Sequence, residues 1–149
     1  MKELKFRPYR ESDLPLLHKM DCSCFPPGIA YTLEELGAFI RHPGAFTLVA
    51  EIRGEIIGFI VAHREKEHLG HIVTLDIPAE WRRRQIGTLL MNKAEEWLKR
   101  NSCRMVYLEA AVDNHPAIRF YEKHGYQSRQ RLEGYYSDGT TALILAKTL

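Results

Sequence analysis

The sequence predicts an α/β (α+β) chain built around one mixed, seven-stranded sheet. Three observations carry that expectation. Ile72 to Leu98 reads as strand, turn, helix: Ile72, Val73, Leu75 and Ile77 give way to Pro78-Ala79-Glu80, and then Ile86, Leu89, Leu90, Ala94, Trp97 and Leu98 recur at helical spacing. Phe46–Ile52 and Glu55–His63 alternate as strands about Arg53-Gly54, a hairpin signal. Met105–Ala111 is apolar except for Glu109 and reads as a buried strand, so Ile72 to Ala111 forms a strand-helix-strand unit whose strands lie parallel through a right-handed crossover.

The remaining elements follow in order. Leu4–Pro8 alternates weakly as a first strand. Ser12 or Asp13 is expected to cap a helix whose apolar face is Leu14, Leu16, Leu17 and Met20, and Cys24-Phe25-Pro26-Pro27-Gly28 breaks it. Thr32-x-x-Glu35 is a capping box, so a second helix spans about Leu33 to Arg41, ended by His42-Pro43-Gly44. Leu69–Ile77 is a strand, and the helix after the basic turn runs to about Arg100. Asn114 caps a helix through Lys123, with Pro116 in its first turn and Gly125 at its end. Tyr126–Leu132 and Thr141–Ala146 are the last strands, around the loop Glu133 to Gly139. The order is β-α-α-β-β-β-α-β-α-β-β, without repeats or linkers.

Composition narrows the function. The 149 residues, 45% hydrophobic and 27% charged, are expected to form a single domain over 1–149. A net charge of +2 is too small for nucleic-acid binding through bulk charge. No window approaches the ~20 apolar residues of a membrane span. The charged opening MKELKFRPYRESD has no secretory apolar core, so the cytoplasm is the expected location. Three cysteines, Cys22, Cys24 and Cys103, are an odd count and read as free thiols. Cys22-Ser23-Cys24 lacks a second ligand pair, and His63, His68 and His71 are expected to scatter along an extended segment, so no metal is expected.

A basic run, Arg82 to Arg84, ends where a helix begins. Such a run is by itself more often a solvated surface. At a strand-to-helix turn, however, it aims free N–H groups, the positive end of a helix dipole and guanidinium groups at one point, a place for a diphosphate. Arg82-Arg83-Arg84-Gln85-Ile86-Gly87-Thr88 resembles the acetyl-CoA loop of the GNAT N-acetyltransferases, Arg/Gln-x-x-Gly-x-Gly/Ala. Arg82 and Gly87 match, and Gln85 replaces the first glycine. Asn114-x-x-Ala117-x-x-x-Tyr121-x-x-x-Gly125-Tyr126 resembles a second GNAT segment, which ends in Gly-Phe. The element order is similar to that of this family over nearly the whole chain, which implies a splay between its parallel fourth and fifth strands.

The resemblance implies acetyl-CoA as co-substrate. Asn114 and Ala117 would meet its pantetheine arm, as would Leu75, Asp76 and Ile77 on the central strand. Arg82 and the amides from Arg83 through Gln85, Ile86, Gly87 and Thr88 would hold the diphosphate. If the family's first loop glycine supplies a positive φ, Gln85 is strained; if it only permits close approach, the Gln85 side chain turns outward, and the second is the expectation.

The resemblance puts Tyr121 near the thioester sulfur, and a phenol there can protonate a leaving thiolate. On spacing alone, Tyr121 reads rather as a core aromatic sharing a face with Ile118, and the motif reverses that. A carboxylate in a buried strand is either satisfied by a partner or functional, and partial desolvation would bring Glu109 toward a usable general base. Leu108-Glu109 is similar to the segment that carries the base in the RimI-like, N-terminal-protein branch. His71, at the start of the strand that would carry the acyl group, is the competing candidate for base.

The same branch implies that Phe25, Pro26, Pro27 and Tyr31, together with Tyr135 and Tyr136, border the acceptor. A protein N-terminal α-amine is the expected acceptor. With an ordinary pKa near 8, over roughly a tenth of such amines are uncharged at pH 7, far more than of lysines. A small-molecule amine acceptor is the alternative within the class, and a non-catalytic CoA-binding regulatory module is the alternative outside it. Nucleic-acid binding through Arg82 to Arg84 would show strong salt dependence. Direct attack in a ternary complex is expected, in a monomer or homodimer.

Overall fold

The computed structural model describes residues 3–149. Its elements are β1 (Leu4–Pro8), α1 (Leu14–Cys24), α2 (Leu33–Arg41), β2 (Ala45–Ile52), β3 (Glu55–Arg64), β4 (Leu69–Asp76), α3 (Ile86–Arg100), β5 (Met105–Ala111), α4 (His115–Lys123), β6 (Gln127–Leu132) and β7 (Ala142–Thr148). Short 3-10 turns at Glu11–Asp13 and Ala79–Trp81 precede α1 and α3.

Local chemistry sets most of these boundaries. At α2, the Glu35 N–H donates to Thr32 Oγ1 (3.1 Å) and the Thr32 N–H to Glu35 Oε1 (2.9 Å), the reciprocal capping box. Asn114 Oδ1 accepts from the Ala117 N–H (3.3 Å) at the start of α4. The β2–β3 turn has positive φ at both Arg53 (51°) and Gly54 (80°), as a two-residue type I′ hairpin requires. The cap expected at α1 differs. Neither Ser12 nor Asp13 caps it through a side chain, because the Asp13 carboxylate is taken by the Arg10 N–H (2.8 Å) and the Arg7 guanidinium (2.8 and 2.9 Å).

The sheet order is β1-β2-β3-β4-β5-β7-β6. Every pair is antiparallel except β4 with β5. That parallel pair keeps register only from Leu69 to His71, against Met105 to Tyr107, and then separates. Across the other edge of β4, Thr74 pairs with Val61 and Ile72 with Ala62, so Val73 is the extra residue of a β-bulge. A bulge bends its strand and re-aims its side chains, and this one lies just beyond the last β4–β5 rung.

Two apolar layers sandwich the sheet. Ile86, Leu90, Met91, Ala94 and Leu98 of α3 pack on Ala50, Ile60, Ile72, Val106, Leu108 and Ala110. Leu14, Leu17, Leu36 and Ile40 of α1 and α2 pack on Val49, Phe59, Val61 and Val73. Since side chains alternate along a strand, Tyr107 and Glu109 of β5 face the α1–α2 side. Among the described residues, no helix is long and apolar enough to cross a membrane.

Candidate active site

The separation of β4 and β5 opens a cavity of about 360 Å³. Its wall takes Val73, Thr74 and Leu75 from β4, and Leu108, Glu109 and Ala110 from β5. Asn114, Ala117 and Tyr121 of the α4 region enter from one side. Phe25, Pro26, Ile29 and Tyr31 of the α1–α2 loop and Tyr135 and Tyr136 of the β6–β7 loop enter from the other. The charged side chains in this lining, Asp21, Glu109 and Asp113, are all carboxylates. Of the residues expected at the acceptor, only Pro27 stands outside the wall.

Glu109 is mostly buried and fully engaged. Its Oε1 lies 2.6 Å from His71 Nε2, and its Oε2 accepts from the Tyr135 hydroxyl (3.3 Å). His71 is absent from the wall and stands behind Glu109. The histidines expected to scatter do so only in part. His63 and His71 are cross-strand partners with ring centroids 6.4 Å apart, while His68 bonds the Ser102 carbonyl (2.9 Å). Hairpin register brings the first two together, which spacing along one extended segment cannot show. Among the described residues, no three His, Cys, Asp or Glu side chains are grouped to hold a metal ion.

The phenols around this space are all held protonated. Burial, then Asp76 and Glu109, pushes Tyr121 well above the ordinary phenol range. Burial, then the Glu109 charge, does the same to Tyr31, Tyr135 and Tyr136. The Cys24 thiol, also in the wall, is pushed up to about 11 by burial first and by Asp76 second, so it stays protonated and unreactive.

The turn into α3 departs from expectation at Gln85. Its φ is +67°, so the backbone is left-handed there and not unstrained as expected, although the residue is exposed. Arg83 is also left-handed, at +61°, while Arg84 between them is not. Such alternation curls successive N–H groups into a concavity that suits an anion. The Leu89 N–H donates to the Gln85 carbonyl (3.0 Å), and the N–H groups of the preceding turn are those a helix leaves without an internal acceptor. The three guanidinium groups do not converge. Arg82 Nε donates to the Ile77 carbonyl (2.8 Å), bracing the turn on the end of β4, and Arg84 lies 4.9 Å over the Trp81 ring. The Ile77 carbonyl thus already accepts one hydrogen bond.

Asp76 was expected along the cofactor arm, but its side chain is fully buried and lies outside the cavity wall. The Thr74 hydroxyl donates to Asp76 Oδ1 and stands 3.4 Å from Asp21 Oδ1. Asp21 Oδ2 accepts the Tyr31 N–H (2.8 Å). Burial first, and then the neighbouring Asp21, hold the Asp76 carboxyl well above the usual range. Sequence reasoning missed Asp21. Its signal is position: it falls on the helix face of Leu14 and Leu17, where a carboxylate needs a partner. Ile29, Glu65 and Tyr107 carried no comparable mark.

A parallel pair that splays at a bulge, a left-handed amide cradle before α3, and a cavity between them holding a carboxylate and a protonated phenol define a transferase of acyl groups from coenzyme A. Residues 14–126 match the Acetyltransferase (GNAT) family, and the chain belongs to it. It is 32% identical over 142 residues to an uncharacterized N-acetyltransferase, MJ1530, of Methanocaldococcus jannaschii, covering 95% of this chain and 89% of that one. It is 31% identical over 164 residues to an N-alpha-acetyltransferase of Sulfurisphaera tokodaii, covering 99% and 95%. Among solved structures, Ard1 from Thermoplasma volcanium superposes with a TM-score of 0.91 at 23% identity over 99% and 98% of the two chains. Arabidopsis thaliana NAA60 in complex with a bisubstrate analogue gives 0.84 at 26% over 98% and 99%. The chain is thus a GNAT N-acetyltransferase with acetyl-CoA as co-substrate.

Proposed function

We propose that this protein acetylates the α-amine of protein N-termini, with Glu109 as base and Tyr121 as donor to the leaving sulfur. The carrying observation is that one cavity, open through the β4–β5 splay, is lined by both residues and by carboxylates as its only charges. An all-carboxylate wall favours a cationic acceptor over a neutral or anionic one. Relatives of this chain named N-alpha-acetyltransferases support the same acceptor.

Acetyl-CoA supplies the activated acyl group. The curled amides from Arg83 to Thr88 suit its diphosphate, and Leu75 and Asn114 border the path of its arm. Glu109 takes one proton from the neutral amine as its nitrogen bonds the carbonyl carbon, and the C–S bond breaks with its electron pair leaving on sulfur as the thiolate. Tyr121, held so firmly protonated, gives the departing thiolate a hydrogen bond rather than its proton outright, the preorganised donation that a growing negative charge rewards.

Two measurements test this. Peptides with free N-termini, the same peptides blocked at the N-terminus but carrying lysine, and a set of small amines are compared by release of free CoA. Turnover of the unblocked peptides alone is expected, and turnover of small amines alone overturns the acceptor. Tyr121→Phe is expected to lower kcat by about 10²-fold with acetyl-CoA affinity unchanged by calorimetry. Wild-type kcat in that variant removes Tyr121 from the step.

A further inference from the structure

Glu109 is aimed from behind by residues that never touch the cavity. His71 and Tyr107 face each other across the last rung of the β4–β5 ladder, immediately before the strands part. Their rings lie flat on one another, with centroids 4.3 Å apart and planes within 2°. The edge of His63, itself stacked on His42 at 4.6 Å, closes another side of the imidazole. The ring therefore sits at the apex of the splay with little freedom to turn.

A carboxylate faces each of its nitrogens. Glu109 Oε1 is 2.6 Å from Nε2, and Glu65 Oε2 is 3.3 Å from Nδ1. Glu65 follows β3 directly, and its N–H donates to the Leu69 carbonyl (2.8 Å), which pins its backbone to the start of β4. Its carboxylate also accepts the Tyr107 hydroxyl, at 3.0 and 3.1 Å. Carboxylates only accept, so the pattern is complete when each ring nitrogen donates. One oxygen of Glu109 is then committed to His71. The other, beside the Tyr135 hydroxyl, is the one left to meet an acceptor.

We infer that Glu65 and His71, locked by Tyr107, are positioning residues that orient Glu109 toward the incoming amine. This rests on Glu109 being the base. His71 is then not a rival base but the piece that holds the base. Glu65 stands behind it as the outer carboxylate stands behind the histidine of a catalytic triad, holding the ring so that Nε2 faces Glu109. A carboxylate free to rotate would lose the near-attack geometry on which proton removal depends.

The test uses the full chain, a peptide that the wild type acetylates, and the variants Glu65→Gln, Glu109→Gln and the pair combined. Glutamine at 65 still accepts from Tyr107 but brings no charge to Nδ1. Glu65→Gln is expected to lower kcat by about 10- to 100-fold, to leave the acetyl-CoA Kd unchanged, and to move the acidic limb of the kcat/KM–pH profile. Added to Glu109→Gln it should cost nothing further, because it acts through a group already removed. A multiplicative loss in the double variant, or a Glu65→Gln enzyme with wild-type kcat and pH profile, overturns the inference. If Glu65→Gln does not fold, Glu65→Asp is read the same way, with a smaller loss expected. A crippled Glu109→Gln beside an unaffected Glu65→Gln sinks only the positioning pair. A Glu109→Gln enzyme that turns over normally sinks the base, and the pair falls with it.

Discussion

At the scale of single residues, the cavity region is a set of carboxyls held in different states by their neighbours. Glu109 is surrounded by donors, whereas Asp76 faces Asp21 and the Thr74 hydroxyl, and one of its oxygens has no protein partner. Burial and then like charge raise the Asp76 carboxyl well above the usual range. The sign of the consequence is definite. Between the unfolded pKa, about 3.9, and the raised folded value, the native state holds a proton that the unfolded state has lost, so stability declines as pH rises through that window. Asp76→Asn keeps the acceptor for Thr74 and a donor toward Asp21 without an ionisable group. It should flatten the decline, by at most about 1.4 kcal/mol per pH unit, and raise Tm at neutral pH, with the two proteins converging below about pH 4. Melting curves from pH 3.5 to 8 check this, and an unchanged slope assigns it to another group. Glu109 was visible in the sequence as a charge in an apolar strand. Its partner His71, and Glu65 behind that ring, were not, because strand pairing brings them together.

At the scale of elements, the turn into α3 departs from the family's loop pattern at Gln85. Left-handed backbone at a residue with a Cβ costs roughly 1–2 kcal/mol, and Gln85 bears that cost where the family has glycine. Gln85→Gly should therefore stabilise the fold by about 1 kcal/mol, a Tm gain of roughly 2–4 °C, while acetyl-CoA affinity changes by less than tenfold because the amide stays where it was. A fall in Tm would mean that the glutamine side chain makes contacts worth more than the strain. The elements best anticipated were those set by neighbours a few residues away: the Thr32–Glu35 box, the Asn114 cap, the Arg53-Gly54 turn. The α1 cap failed because the Asp13 carboxylate is taken by Arg7 of β1 and by the Arg10 N–H. The insertion of β7 between β5 and β6 left no mark in the pattern either, since alternation says that a strand exists and not beside which partner it lies.

At the scale of the whole molecule, two loops from opposite ends of the chain meet beside the cavity. The Gly28 carbonyl accepts both the Ser137 N–H (3.2 Å) and the Ser137 hydroxyl (2.8 Å), across 109 residues of sequence. Gly28 has φ +89°, and a Cβ there would stand 2.8 Å from Asp138 Cβ. Gly28→Ala should part the loops, lowering kcat/KM for peptides by about tenfold for a strain of roughly 1–2 kcal/mol, with the acetyl-CoA Kd unaffected. Equal losses in both would locate the damage in the fold rather than beside the cavity. The amino-acid sequence by itself determined the element order, the parallel crossover, the loop before α3 and the two residues proposed for the chemistry, because periodicity, caps and short motifs are written within a few residues of one another. Only the tertiary structure decided the strand order, the left-handed state of Gln85, the Asp21–Asp76 pair and the Glu65–His71–Glu109 line. Apart from the local twist at Gln85, each of these depends on which distant segments meet, and that is settled by burying the two faces of one twisted sheet rather than by any local preference.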